Sequence, residues 1–446
     1  MLYDLILKGG TIFTPGGLIS KDIAVKNGKI AALGEFEKHQ ADACLACDGL
    51  TILPGAIDTQ VHFREPGLEG KEDLESGSRA AVLGGITAVF EMPNTNPPTD
   101  TAEALADKLA RAKNRMWCDH AFYIGATAHN FDKLAGLESL PGCAGIKVFM
   151  GSSTGNLLVD DDETLLSVLQ SGRRRVAIHA EDEARLKERQ PHRVTNDPSS
   201  HPVWRDDETA MRATKRILSL AQKAGRPIHI LHVTTPEEMA LIALHKDIAS
   251  CELTPQHLTL AAETAYPELG SYAQMNPPIR SGKHQAGLWD ALQQGIADVI
   301  GSDHAPHTIE EKQRPYPQSP SGMPGVQTLL PLMLHHVAEG RLSLARLVDL
   351  VSYGPQRLFG LLNKGRIAVG YDADFSIVDM KASWVVEEEW LASKCGWSPF
   401  SGKQLKAKPV GTVIRGHRVM WEGQLYSEAI GRPLRFQDSL RNELKK

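Results

Sequence analysis

Gln60 and His62 stand two residues apart in the run Asp58-Thr59-Gln60-Val61-His62-Phe63-Arg64-Glu65-Pro66-Gly67. On a strand, alternation sends both to one face and Val61 to the other. Two imidazoles at that spacing would chelate a divalent cation. Here one of them is a carboxamide, a weak neutral donor to zinc. Four further residues stand inside or at the end of apolar runs: Lys147 inside Gly145-Ile146-Lys147-Val148-Phe149, His179 ending Val176-Ala177-Ile178-His179, His232 ending Ile228-His229-Ile230-Leu231-His232, and Asp303 in Gly301-Ser302-Asp303. A lone histidine there is more often a hydrogen-bonded core residue than a ligand, and Asp303 alone would serve as a helix cap. Lys147 is harder to dismiss, because a buried ammonium is costly unless paired or chemically altered. Four such residues at equivalent positions favour a metal site, since imidazole and carboxylate suit zinc and similar ions.

The elements that must bring them together follow a βα rhythm, which implies a parallel sheet. Candidate strands fall near 52–62, 86–92, 117–125, 144–150, 174–180, 226–233, 249–254 and 296–303. Eight closes a (β/α)₈ barrel, whose strand C-termini converge on one cavity. Asp100 with Glu103, and Thr235-Pro236-Glu237-Glu238, read as helix starts. Residues 3–53 and the stretch after 365 alternate apolar and polar residues between glycine turns, as short antiparallel strands do. The expected organisation is therefore α/β: a barrel over 54–364 with a small β-sandwich composed of 1–53 and 365–446. Residues 308–325, rich in Pro, Gln and Ser, form a long irregular loop after the last strand, where a barrel site wants a wall.

Composition narrows the function classes. A formal charge of −5 gives no electrostatic footprint for nucleic acid, and Arg173-Arg174-Arg175, the one basic run, reads as a solvated helix-to-strand turn. No stretch is apolar enough to span a bilayer, and Met1-Leu2-Tyr3-Asp4-Leu5 lacks the basic-then-apolar order of a secretory signal. The expectation is a cytoplasmic enzyme whose six cysteines are reduced thiols.

Taken together the motifs resemble the amidohydrolase superfamily and, within it, the dihydroorotase family of cyclic amidohydrolases. The resemblance is carried by Asp58-x-Gln60-Val61-His62-Phe63-Arg64-Glu65-Pro66-Gly67, Met92-Pro93-Asn94-Thr95, Lys147, His179-Ala180-Glu181, His232-Val233, Met275-Asn276-Pro277-Pro278-Ile279-Arg280 and Ser302-Asp303-His304-Ala305-Pro306-His307. It implies reversible hydrolysis of the cyclic amide of L-dihydroorotate to N-carbamoyl-L-aspartate, in pyrimidine biosynthesis, by a metal-activated hydroxide. By that likeness His62 and Asp303, with a weaker contribution from Gln60, hold one Zn²⁺. His179 and His232 hold a second, and Lys147, N-carboxylated, bridges them. Asp303 acts as catalytic base and acid, and Arg64, Asn94, Asn276 and His307 bind the substrate. The Lys147 context is closer to hydantoinase-type members, so a hydantoinase, dihydropyrimidinase or allantoinase activity is the alternative. The chain departs from the pattern at Gln60, Gln256 and Gln327, and the first of these leaves open a catalytically silent scaffold. The likeness also implies a homodimer, and a silent scaffold would stand, for instance, beside aspartate carbamoyltransferase.

Overall fold

The computed structural model describes residues 2–152, 157–426 and 428–438. Eight parallel strands lie side by side in chain order: Ala56–Val61, Ile86–Glu91, Asp119–Gly125, Cys143–Phe149, Val176–His179, Ile228–Ile230, Ala249–Leu253 and Val299–Ile300. The sheet closes where the His62 N–H donates to the His304 carbonyl at 2.7 Å, so the first and last strands meet in a (β/α)₈ barrel. Side chains fill the interior and helices cover the outside, and every residue of Ala56–Val61 and Cys143–Phe149 is buried. That double burial is why these strands read as continuous apolar runs.

Two expected boundaries move. The run 52–62 splits at Gly55: Thr51–Pro54 pairs antiparallel with Phe375–Val385 in the sandwich, and only Ala56–Val61 enters the barrel. A Cβ at Gly55 would lie 2.4 Å from Thr87 Oγ1, so glycine is what lets the chain pass the neighbouring strand. The helix Ala102–Ala112 is capped by Thr101, which accepts from the Ala104 N–H, and not by Asp100. Starting one residue later puts Glu103 second in the helix, out of reach of a capping box. Thr235 caps Pro236–Ala243 as its spacing predicts.

The sandwich draws on both ends. A four-stranded sheet holds Lys29–Gly34, Asp22–Lys26, Tyr3–Lys8 and Ala41–Ala46. A seven-stranded sheet joins Thr11–Thr14, Gly17–Ser20 and Thr51–Pro54 to Phe375–Val385, Gln404–Ile414, His417–Trp421 and Gln424–Leu425, the two ends meeting where Thr51–Pro54 pairs with Phe375–Val385. Leu7, Ile12, Ile23 and Ile52 pack with Phe375, Ile377 and Val413 in one core, so neither end buries its apolar face without the other.

The Arg173–Arg175 run is not a free solvated turn. The Arg174 guanidinium lies 4.6 Å over the Phe436 ring and pairs with Asp438 at 2.7 Å, and Arg175 donates to the Ile228 carbonyl. Among the described residues no helix is long and apolar enough to cross a membrane.

Candidate active site

Strand ends deliver the polar residues to one cavity, lined by Gln60, His62, Arg64, Asn94, Lys147, Phe149, His179, His232, Asn276, Asp303, Ala305, Ser321 and Gly322. Gln60 and Lys147 stand within strands, and His179 ends one. His62, Arg64, His232 and Asp303 lie just beyond strand ends, the last three with left-handed backbones at φ 65°, 37° and 44°. Such conformations cost a non-glycine residue about 1–3 kcal/mol and persist where the surroundings over-determine them.

Two clusters form the floor. In the first, Gln60 Nε2 donates to Asp303 Oδ1 at 2.9 Å, and His62 Nε2 faces the same oxygen at 3.2 Å. His62 Nδ1 meets Asn94 Oδ1 at 2.7 Å. With Nδ1 as donor there, Nε2 presents a lone pair to the carboxylate. In the second, His179 Nε2 meets Glu181 Oε2 at 2.9 Å, which leaves Nδ1 facing His232 Nε2 at 3.1 Å. Glu181 is itself held by Arg205 at 3.1 Å. This is the carboxylate–histidine arrangement that fixes the tautomer of a ligating imidazole.

Burial sets the charge states. It lowers the pKa of His62 and of His179, and takes His232 well below the ordinary value, so all three imidazoles are neutral donors near pH 7. Burial would raise Glu181, but Arg205 and His179 outweigh it and hold the carboxyl below its usual range. Lys147, 1% exposed, is pushed down to about 7 by burial, against the opposing pull of Asp303 and Glu252. Its Nζ sits 4.4 Å from the centre of the Phe149 ring and has no hydrogen-bond partner among the described residues. The same is true of His232 Nδ1, Gln60 Oε1 and Arg64 Nη1.

Do these residues fit a metal? Among the described residues no three His, Cys, Asp or Glu side chains converge as a cation cage. The pair His179 and His232 brings two ring nitrogens to one point, and the third member beside them is Lys147, an orphaned buried amine. A lysine is a ligand only once uncharged or converted to an anion, so the donor set fits a divalent cation with Lys147 in such a form. Gln60 turns its N–H₂ toward Asp303 and leaves its oxygen unused.

Of the predicted residues only His307 stands outside the cavity lining. Its Nε2 lies 3.4 Å from Arg64 Nη2 and 3.0 Å from the Ser321 carbonyl, and its Nδ1 lies 3.2 Å from Lys71 Nζ. Arg64 is 1% exposed and anchored by Nε to the Pro306 carbonyl at 3.2 Å; burial lowers it to about 10, so it remains a cation at neutral pH. Sequence reasoning missed Arg205, Ser321 and His201, whose Nε2 meets Asn276 Oδ1 at 3.0 Å. It quoted Glu181 without giving it a role, although its position two residues after His179 was a signal. The other two departures have partners: Gln256 donates to the Ser302 carbonyl and Gln327 to the Trp390 carbonyl.

A family model described as the amidohydrolase family matches residues 51–419. The chain is 37% identical over 442 residues to a dihydroorotase of Halobacterium salinarum, covering 98% of this chain and 99% of that one. It is 36% identical over 445 residues to a dihydroorotase of Methanosarcina mazei, covering 96% of each. An L-hydantoinase (dihydropyrimidinase) structure from Arthrobacter aurescens superposes with a TM-score of 0.92 at 30% identity, covering 97% of this chain and 100% of that one.

Proposed function

We propose that this chain, which belongs to the amidohydrolase family, catalyses the reversible hydrolysis of the cyclic amide of L-dihydroorotate to N-carbamoyl-L-aspartate. The relatives named dihydroorotase match it along almost their whole length. The observation that carries the substrate is Arg64: a buried guanidinium lining the cavity, with Nη1 unpartnered among the described residues. A cation so placed suits a carboxylate, and dihydroorotate bears one where hydantoin and dihydrouracil do not. In this reading Asn94 and Asn276 complete the binding of carboxylate and ring, His307 stands behind Arg64 at 3.4 Å, and the reaction serves pyrimidine biosynthesis.

The family is generally metal-dependent, and zinc is the ion this donor set suits best. His179, His232 and N-carboxylated Lys147 would hold it, with a second position at His62 and Asp303 weakened by Gln60. A bound zinc supplies Lewis acidity at the attacked carbonyl. The remaining work falls to the chain. Arg64 orients the ring through its carboxylate. Asp303 takes the proton of the attacking water and delivers it to the departing ring nitrogen, base and acid in turn. Gln60 and His62 both meet Oδ1, which leaves Oδ2 to carry that proton. Glu181 and Arg205 hold the His179 ring in place.

A hydantoinase is the second reading, favoured by the buried Lys147 and by an L-hydantoinase from Paenarthrobacter aurescens, 31% identical over 448 residues. Assaying the purified protein on dihydroorotate, hydantoin, dihydrouracil and allantoin side by side separates the two. Turnover of dihydroorotate is expected; turnover confined to carboxylate-free rings overturns the assignment. Gln60→His tests the weak position: metal content per chain should rise, since an imidazole replaces a carboxamide that now points its N–H₂ inward. Unchanged content with no turnover in either protein would favour a catalytically silent scaffold.

A further inference from the structure

Lys312 ends the short helical turn Ile309–Lys312 in the loop after the last barrel strand. It is 1% exposed, and its Nζ donates to three backbone carbonyls: Gln274 at 3.3 Å, Pro320 at 2.9 Å and Gly322 at 3.0 Å. An ammonium has three N–H groups, so all are used. The acceptors belong to two separate stretches. Gln274 lies two residues before Asn276; Pro320 and Gly322 flank Ser321; and Asn276, Ser321 and Gly322 all line the cavity.

We propose that Lys312 is a positioning residue, the tie that holds Asn276 and the Ser321–Gly322 backbone in one substrate-facing wall. Neutral bonds support the same junction. Gln274 Nε2 donates to the Ser319 carbonyl and meets Ser321 Oγ, both at 3.0 Å, and the Gly322 N–H donates to the Gln274 carbonyl at 2.9 Å. None of these replaces a charged donor reaching both stretches at once. The indole of Trp397, 5.7 Å from Nζ, closes the site and is itself held by the His307 carbonyl at 2.8 Å. Burial drives Lys312 down to about 7 despite neighbouring Glu311.

The proposal rests on the reading that this wall faces the substrate, and its test is built to fail separately. Lys312→Met keeps length and removes the donors. KM for whichever cyclic amide the wild type turns over should rise on the order of tenfold, with kcat and metal content nearly unchanged. Amide exchange at 319–322 should accelerate while that of the barrel strands does not. A lower melting temperature with unchanged KM makes Lys312 merely structural and overturns the proposal. So does unchanged exchange at 319–322, and that readout holds even if the wild type proves inactive on every ring, a result that would sink the functional reading instead. Should Lys312→Met fail to fold, Gln274→Met cuts the neutral half of the same junction and must raise KM and exchange in the same pattern.

Discussion

Asp303→Asn lowers kcat by about 10²–10⁴ and leaves metal bound at the position of His179, His232 and Lys147, the loss expected when a proton-transferring group is removed. The substitution keeps the shape of a side chain that is 6% exposed and fixed at Oδ1 by Gln60. An amide accepts Gln60's hydrogen bond through its oxygen, but it takes no proton from water and delivers none to a leaving nitrogen. The effect should appear in both directions of the reaction, since one group serves as base in hydrolysis and as acid in ring closure. His179, His232 and Lys147 are untouched, so zinc at that position is retained. Steady-state kinetics of ring opening and closing, beside metal analysis and a melting curve, check this. A kcat within a few-fold of wild type, with metal intact, would take Asp303 out of the proton path.

The barrel was legible because strands buried on both faces cannot hide their apolar runs, and because polar residues interrupt those runs at their C-terminal ends. Lys147 is the sharpest case: an ammonium in the middle of Cys143–Phe149 has no structural excuse in the sequence, and it stands in the cavity. What was not legible follows from backbone geometry that alternation does not encode. The last strand is only Val299–Ile300, not 296–303, because the chain leaves extended geometry and is left-handed by Asp303. His232 and Arg64 make similar turns, so side-chain direction at the mouth could not be counted off from the strand. Gln60 was legible as a missing imidazole but not as a donor to Asp303. Arg205, His201 and Lys312 gave no signal at all, since each acts through contacts with segments tens of residues away: Glu181, Asn276 and Gln274.

Arg64→Leu should invert the substrate preference. The guanidinium is buried, positively charged until well above neutral pH, and among the described residues committed only through Nε and a long approach of Nη2 to His307. Without it the carboxylate of dihydroorotate enters the cavity unpaired. Stranding one partner of a buried ion pair costs about 3–5 kcal/mol, so kcat/KM for dihydroorotate should fall by about 10²–10⁴. Dihydrouracil has no carboxylate to strand, and its kcat/KM should stay level or rise as the charge is removed. Arg64→Lys separates charge from shape: it restores the cation without the planar two-pronged donor, and should recover only part of the loss. The decisive quantity is the ratio of the two specificity constants across wild type, Lys and Leu. If both rings lose activity by the same factor, Arg64 holds the loop at Pro306 and His307 and does not read the substrate, and the assignment of this cavity to a carboxylate-bearing ring falls with it.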